Sequence, residues 1–115
     1  MILKLFWKDS QENSYYLADL KKEMDTYILD IDEDGLKDAI KHGCFGIGNL
    51  NFLTYHYESK ELFQFFKERI PQKNYPRIEQ ILKKYDLREY DEMKLLAKTR
   101  GLTNNDRYYL DVVEG

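Results

Sequence analysis

The sequence predicts a small α+β domain, in which a small antiparallel sheet packs with a cluster of three to four short helices. The first 31 residues hold short, loosely alternating segments of aromatic and aliphatic residues. Residues 59–106 carry apolar side chains at helical spacing between recognisable start and stop signals. A last alternating segment runs from Arg107 to Val113. At 115 residues the chain has room for one core, so we predict a single domain over residues 1–115.

Three strands are predicted near the start of the chain, at Ile2 to Trp7, Tyr15 to Leu20 and Thr26 to Ile31. Polar segments at residues 9–13 and 21–25 connect them. Connections this short favour an antiparallel meander. Leu50 to Tyr57 is extended and aromatic, but its place in the sheet stays open, and Arg107 to Val113 predicts the final strand.

Four helices are predicted. The first runs from Asp32 to His42, with Asp32 or Asp34 as its cap and Gly43 after its end. Ser59 caps a second helix over Lys60 to Ile70, which Pro71 stops. A third begins at Pro76, and a fourth is capped by Asp91 and closed by Gly101. The apolar stripes of these helices predict core positions at Phe63, Phe66, Leu95 and Leu96.

The amino-acid composition argues against a strongly nucleic-acid-binding, disulfide-stabilised or membrane-spanning protein. The chain has 18 basic and 21 acidic residues and a net charge of -3, which gives no long-range attraction to nucleic acid phosphates. Its one cysteine, Cys44, cannot form an intrachain disulfide and fits a reducing compartment. No apolar run approaches the roughly 20 residues of a membrane helix, and the apolar start is too short for a signal peptide. We therefore expect a cytoplasmic protein.

No catalytic pattern emerges from the reactive residue types. His42 and His56 are the candidate general bases, but neither stands in a recognised spacing with Ser, Cys or an acid. We expect His42 at the surface end of a helix and His56 at a strand edge. Cys44 has only Lys41 as a nearby cation, so a buried thiol is expected rather than a nucleophile. One Cys and two His do not supply a zinc site. We predict no enzyme activity, no cofactor and no metal.

Glycines at positions 43, 46 and 48 punctuate a segment whose spacing fits neither a nucleotide nor a dinucleotide phosphate loop. One interpretation is a plain turn, with Phe45 folded back into the core. The other is a loop that projects Phe45 and Ile47 towards a partner protein. Trp7 is either an edge residue of the core or an interface anchor. We take Trp7, Phe45 and Ile47 as the candidate partner-binding residues.

The segments "LFQFFKERIP", "ILKKYDL" and "DEMKLLAKTRG" together resemble the N-terminal subdomain of HipA-type serine/threonine kinase toxins. The opening strands fit the small sheet of that subdomain. The chain departs from the family at Arg100-Gly101-Leu102, where the family usually has a double glycine and an acid, and it shows no kinase glycine loop or catalytic Asp. The matching positions are Leu62, Phe63, Phe65, Phe66, Ile70, Pro71, Asp91, Leu95, Leu96, Ala97 and Gly101.

The resemblance implies a function in trans. A free-standing subdomain of this kind, similar to the small antitoxin of split HipA-like systems, would bind and restrain a separate HipA-like kinase encoded nearby. A DNA-binding protein is a possible third component of such a system.

The alternative is a nucleic-acid-binding accessory domain, because a related pattern occurs in front of HIRAN-type domains. That alternative requires basic and aromatic side chains on one exposed face. Since the net charge is negative, we expect no strong nucleic-acid binding. Candidate stacking residues are Tyr55, Tyr57, Phe63, Phe65, Tyr75, Tyr85, Tyr108 and Tyr109.

Overall fold

The computed structural model describes residues 1–50 and 54–113, and it shows the predicted α+β fold. Over those residues the chain forms five strands and four helices. Three strands open the chain and are followed by a helix, a fourth strand, three more helices and a last strand. In chain order these are β1 (Ile2–Lys8), β2 (Ser14–Glu23), β3 (Thr26–Ile31), α1 (Glu33–Lys41), β4 (His56–Ser59), α2 (Gln64–Lys67), α3 (Ile78–Lys84), α4 (Glu92–Thr99) and β5 (Tyr108–Val113).

The sheet has the strand order β4-β3-β2-β1-β5, and every neighbouring pair is antiparallel. The predicted meander of the first three strands is confirmed. The open question about Leu50 to Tyr57 is answered in part: Tyr57 pairs with Leu29 of β3, while residues 51–53 lie outside the described residues. The last strand returns to the first, with Ile2 opposite Val113.

A β-bulge in β2 helps to place α1. Leu5 lies opposite Ala18 and Phe6 opposite Tyr16, so Leu17 is the extra residue. The carbonyl oxygen of Leu17 accepts a hydrogen bond of 2.8 Å from the backbone N–H of Asp32, the N-cap of α1. The side chain of Asp32 in turn accepts from the N–H of Gly35 at 2.9 Å, so the predicted cap is confirmed.

The first turn of α1 lies so close to the backbone of β2 that position 35 requires a glycine. A Cβ atom at Gly35 would come 1.9 Å from the carbonyl oxygen of Tyr16, which is part of the rigid backbone of β2. Any side chain at this position would therefore force α1 away from the sheet.

The sheet has one covered face and one open face. The side chains of Leu3, Leu5 and Trp7 alternate along β1 and are buried, as are Leu20 and Leu29 on the neighbouring strands. This covered face and the buried residues of the helices form one core cluster. The side chains between them, such as Phe6 and Tyr16, lie half-buried on the other face. We call the second set the open face.

The helix predicted over Lys60 to Ile70 is much shorter in the structure. Ser59 belongs to β4 and pairs with Tyr27, so it does not cap a helix. Its hydroxyl oxygen accepts from the N–H of Glu61 at 3.2 Å, which makes a local turn instead. Only Gln64–Lys67 is helical. Strand pairing therefore overrides the helical apolar pattern at the start of this segment.

Three of the four predicted core positions on the helices are fully buried, namely Phe66, Leu95 and Leu96. Phe63 is half-buried and packs against the core from the N-cap position of α2. The fourth helix starts as predicted, because the side chain of Asp91 accepts from the N–H of Lys94 at 3.0 Å.

The end of α4 differs from the prediction by one residue. Arg100 already adopts the left-handed conformation, with φ of 58°, one residue before Gly101. Its guanidinium donates to the carbonyl oxygen of Leu110 at 3.2 Å and to Asp111 at 2.6 Å. These contacts with β5 offset the strain of a non-glycine residue in this conformation.

None of the helices over residues 1–50 and 54–113 has the length and apolar content needed to cross a membrane.

Candidate partner-binding surface

The glycine-punctuated loop after α1 is held to the body of the domain on both sides of Phe45. Cys44 before it is buried, and Ile47 after it is fully buried in the core. The backbone of Gly46 is also buried between them. Between these fixed points the side chain of Phe45 is 97% exposed. The loop therefore holds one phenyl ring in solvent from a backbone that is itself anchored.

Tyr108 of β5 supplies the central anchor of the loop. Its hydroxyl donates to the carbonyl oxygen of Gly46 at 2.5 Å and lies 3.5 Å from the sulfur of Cys44. The N–H of Gly46 donates to the same sulfur at 3.4 Å. Burial raises the pKa of Tyr108, and its contact with the Cys44 sulfur raises it further. The phenol thus stays protonated and keeps its donor at all ordinary pH values.

The backbone conformation of the loop favours glycine at two positions, Gly46 and Gly48. Gly46 has φ of 91° and Gly48 has φ of 59°, both in the left-handed region that favours glycine. A Cβ atom at Gly48 would also lie 3.2 Å from the Cβ of Phe65. The loop therefore presses its backbone against the side chain of Phe65, which brings Phe45 next to α2.

A cavity of about 460 Å³ opens beside Phe45. We call it the loop cavity. Its walls come from the loop, from α2 and the residues just after it, and from the segment that leads into β5. The lining residues are Phe45, Gly48, Phe65, Glu68, Arg69, Thr103, Asn105, Asp106 and Tyr108.

Arg69 forms part of the wall of the loop cavity as a nearly buried cation, with its side chain only 6% exposed. The guanidinium carbon lies 4.3 Å from the centre of the Phe65 ring and 5.0 Å from that of Tyr108. One Nη donates to the carbonyl oxygen of Gly101 at 2.7 Å, and the other contacts Asp106 at 2.5 Å. The charge is thus neutralised inside the cavity wall.

The three residues predicted to contact a partner do not share a surface. Phe45 is exposed as predicted, but the expected outward projection of Ile47 is wrong, because Ile47 faces the core. Trp7 is only 8% exposed and packs its ring 5.7 Å from that of Tyr15, so the core alternative holds for it. Of the three, Phe45 alone is accessible to a partner protein.

One aromatic and one cationic residue of the loop cavity were missed as partner-binding residues, and the aromatic one, Phe65, was considered as a site residue only for stacking on nucleic-acid bases. Phe65 and Arg69 stand four positions apart, which places them on one side of a helical turn, and that spacing is visible in the sequence. The contribution of Tyr108 depends on β5 lying beside the loop. The distance of more than 60 positions between Tyr108 and Gly46 leaves no local signal for that contact.

The other reactive residues lie where the sequence placed them. His42 ends α1, with its ring nitrogen 2.8 Å from the carbonyl oxygen of Asp38. His56 begins the edge strand β4 and lies between Asp30 and Glu58, at 2.5 and 2.7 Å. Cys44 is a buried free thiol. Over the described ranges 1–50 and 54–113, no group of three or more His, Cys, Asp or Glu is arranged to hold a metal ion.

Comparisons with protein-family models, with curated proteins and with solved structures found no match for this chain.

Proposed function

We propose that this protein is a non-catalytic module that binds a separate protein by inserting Phe45 into an apolar pocket of that partner. The observation that carries the proposal is the 97% exposure of Phe45 on a loop that is anchored at Cys44, Gly46 and Ile47. A phenyl side chain left in water forgoes about 1.5–3 kcal/mol of burial energy. An anchored loop also loses little conformational entropy on binding, which favours affinity.

The partner in this proposal is a HipA-like serine/threonine kinase, which the protein restrains in trans. The motifs from Leu62 to Gly101 support this choice, since they resemble the N-terminal subdomain of such kinases. A module detached from a kinase would keep the former intramolecular surface as its interface, with an apolar centre and a polar rim. The proposal includes a cytoplasmic location, which the unpaired Cys44 fits, and leaves other surfaces free for a DNA-binding third component.

The test is a binding measurement with a HipA-like kinase core that is encoded nearby and lacks its own N-terminal subdomain. Calorimetry compares the wild type with Phe45→Ala and with the matched control Met24→Ala, whose side chain is 98% exposed in the turn between β2 and β3. We expect Phe45→Ala to weaken binding at least about 30-fold, because a buried aromatic anchor contributes about 2 kcal/mol or more. Met24→Ala should bind like the wild type.

Both variants should keep the wild-type unfolding midpoint, since neither side chain is buried. The kinase should also lose phosphotransfer activity when the wild-type protein is added in excess. A complex that forms equally well with Phe45→Ala would move the interface elsewhere, first to the face from Lys60 to Arg69. Absence of any complex would reject the kinase as the partner.

A second candidate function is nucleic-acid binding on the open face, and one observation favours it. The rings of Tyr16, Phe6 and Tyr109 form a row across β2, β1 and β5, with centroid distances of 5.7 and 5.2 Å. Exposed aromatic side chains on a sheet are a common platform for stacking bases. Tyr109 is the one member of this row that the sequence had marked for stacking.

The charges around this row limit the affinity that it can reach. Lys4 lies 4.6 Å from the Tyr16 ring, and Arg100 lies 5.2 Å from the Tyr109 ring. Both cations are already paired, Lys4 with Asp19 at 3.1 Å and Arg100 with Asp111 at 2.6 Å. Phosphates would therefore compete with carboxylates of the protein itself.

Fluorescence anisotropy of a labelled oligothymidine at several salt concentrations tests this candidate, with Tyr109→Ala and the remote Phe45→Ala as a matched pair of aromatic truncations. Salt-sensitive binding that only Tyr109→Ala weakens would support it, and binding that both variants retain would place the nucleic acid elsewhere.

A further inference from the structure

The last strand, β5, lies at one edge of the sheet with β1 as its neighbour. In an antiparallel pair, successive residues point their backbone N–H and C=O groups alternately towards the partner strand and away from it. The N–H of Lys8 donates to the carbonyl oxygen of Arg107 at 3.1 Å, so Arg107 points towards β1. The residues that point away are therefore Tyr108, Leu110 and Val112. We call their backbone groups the outer edge of β5, since a further strand would have to pair with them.

Residues from outside the strand occupy the first two positions of this outer edge. The N–H of Leu110 donates to the carbonyl oxygen of Arg100 at 2.9 Å, and the carbonyl oxygen of Leu110 accepts from the Nε of Arg100 at 3.2 Å. The N–H of Tyr108 donates to the carboxylate of Asp106 at 3.3 Å. Over the described residues, the groups of this edge that remain open are the carbonyl oxygen of Tyr108 and both groups of Val112.

The side chain of Arg100 is explained by these contacts rather than by the turn in which it lies. Its backbone is left-handed, with φ of 58°, a conformation that glycine adopts without strain. The turn alone would therefore favour glycine at this position. The arginine instead reaches along β5, where it donates to Leu110 and, through an Nη, to Asp111 at 2.6 Å.

We propose that Arg100 and Asp106 close the outer edge of β5 against strand addition by a second copy of this chain. Unpaired groups on an edge strand are a template for pairing with another chain, and two identical edges can pair about a two-fold axis. Charged side chains and covering segments are the usual means of blocking such an edge. Here they leave both backbone groups open at Val112 alone, whereas strands are typically about 3–10 residues long.

The opposite edge of the sheet is shortened in the same way. The N–H of Ile31 donates to the carbonyl oxygen of Tyr55 at 2.7 Å, so His56 and Glu58 of β4 point away from β3. The hydroxyl of Thr54 accepts from the N–H of His56 and donates to its carbonyl oxygen, both at 3.3 Å. A side chain outside the strand thus occupies both outward groups of His56. The protein covers part of each edge by a side chain that follows no strand pattern.

This inference goes beyond the proposed function and does not rest on it, because Phe45 lies on a different part of the chain. It does bear on how a partner can bind. A partner that paired with β5 as an additional strand would first have to displace Arg100 from Leu110.

Sedimentation velocity over a wide range of protein concentration tests the inference. The variant Arg100→Gly removes the side chain and suits the left-handed backbone, so it uncovers the carbonyl oxygen of Leu110 while the fold is kept. The matched control Lys98→Ala removes an exposed cation from the last turn of α4 and leaves the outer edge covered. We expect Arg100→Gly to associate as the concentration rises, and the wild type and Lys98→Ala to sediment as monomers.

A second substitution locates the association. Adding Val112→Pro to Arg100→Gly removes an N–H that points away from β1, so it breaks no hydrogen bond within the sheet, and the double variant should return to the monomer. In Arg100→Gly the amide exchange of Val112 should slow about five-fold or more as the concentration rises, the effect of one added hydrogen bond. The exchange of Glu58, at the other edge, should stay constant.

Three results would each overturn the proposal: Arg100→Gly remains monomeric at all concentrations, the wild type or Lys98→Ala associates as strongly as Arg100→Gly, or the double variant still associates. Urea midpoints check that every variant is folded. If Arg100→Gly unfolds the protein, Arg100→Asn takes its place, because asparagine also tolerates the left-handed conformation. Kinase binding by the wild type has no part in these outcomes, so the proposed function and this inference fail separately.

Discussion

Removal of the Tyr108 hydroxyl should loosen the loop that carries Phe45. In Tyr108→Phe the ring remains against Arg69, and the hydroxyl is lost that donates to the carbonyl oxygen of Gly46 and lies 3.5 Å from the sulfur of Cys44. That carbonyl is buried, and its remaining contact is the Cys44 thiol at 3.8 Å, a weak donor. A buried acceptor left without its partner costs about 1–3 kcal/mol.

The neighbouring tyrosine provides a matched control. The hydroxyl of Tyr109 contacts Ser14 at 2.9 Å on the exposed side of the sheet. Loss of such a surface contact should change the free energy of unfolding by less than about 0.5 kcal/mol. The two variants thus remove the same atom from adjacent residues of β5, one from a buried bond and one from an exposed bond.

Urea unfolding, followed by the fluorescence of the single tryptophan Trp7, measures the difference. With a typical dependence of about 1–3 kcal/mol per molar urea, the midpoint of Tyr108→Phe should fall by on the order of 1 M, and that of Tyr109→Phe should stay near the wild-type value. Amide exchange in the loop should accelerate in Tyr108→Phe more than in the centre of the sheet. Equal midpoints and equal exchange for the two variants would show that this hydroxyl does not hold the loop.

Four further outcomes are expected. Phe66→Ala should lower the free energy of unfolding by about 3–5 kcal/mol, and Phe63→Ala by clearly less, since Phe66 is fully buried and Phe63 half-buried; equal losses would contradict the assigned packing. His56 has a pKa raised by its hydrogen bonds to Glu58 and Asp30, so its stabilising effect is full below the unfolded value near 6.5 and is lost as the pH rises through the folded pKa. Urea midpoints should show that loss in the wild type and not in His56→Gln; a matching pH profile for both would disprove the assignment. Binding to DNA should be weak and strongly salt-dependent, no tighter than the non-specific range of about 10⁻⁴–10⁻⁶ M near physiological salt, so a sub-micromolar affinity would favour the nucleic-acid function. The purified chain should show no kinase, nuclease or hydrolase activity, and a single-turnover activity that His56→Ala abolishes would contradict this.

The sequence was most informative where local signals and tertiary contacts agree. Thr26–Ile31 is a strand with the predicted bounds, and the caps Asp32 and Asp91 both accept the hydrogen bonds expected of them. The alternation of β1 also indicates that Trp7 belongs to the core. Side chains two positions apart share a face of the sheet, so the face that buries Leu5 buries Trp7 as well.

The errors fall where packing over long distances decides the outcome. The helix predicted from Lys60 fails at its start because Ser59 pairs with Tyr27, far away in the chain. The loop offers no period from which the buried Ile47 could be separated from the exposed Phe45. The residue that fixes the loop between Phe45 and Ile47 is Tyr108 of β5, which donates to the carbonyl oxygen of Gly46. Nothing in the sequence indicates that β5 lies beside this loop.

The position of β5 beside β1 has a consequence for the order of folding. The contacts of Ile2 with Val113 and of Leu5 with Leu110 join segments more than 100 positions apart, whereas β1, β2 and β3 join through short turns. Closing so long a loop is slow, and during synthesis β5 leaves the ribosome well after the first three strands. Until then one edge of β1 has unpaired backbone groups, and it is during this interval that a nascent chain is most exposed to edge-to-edge aggregation.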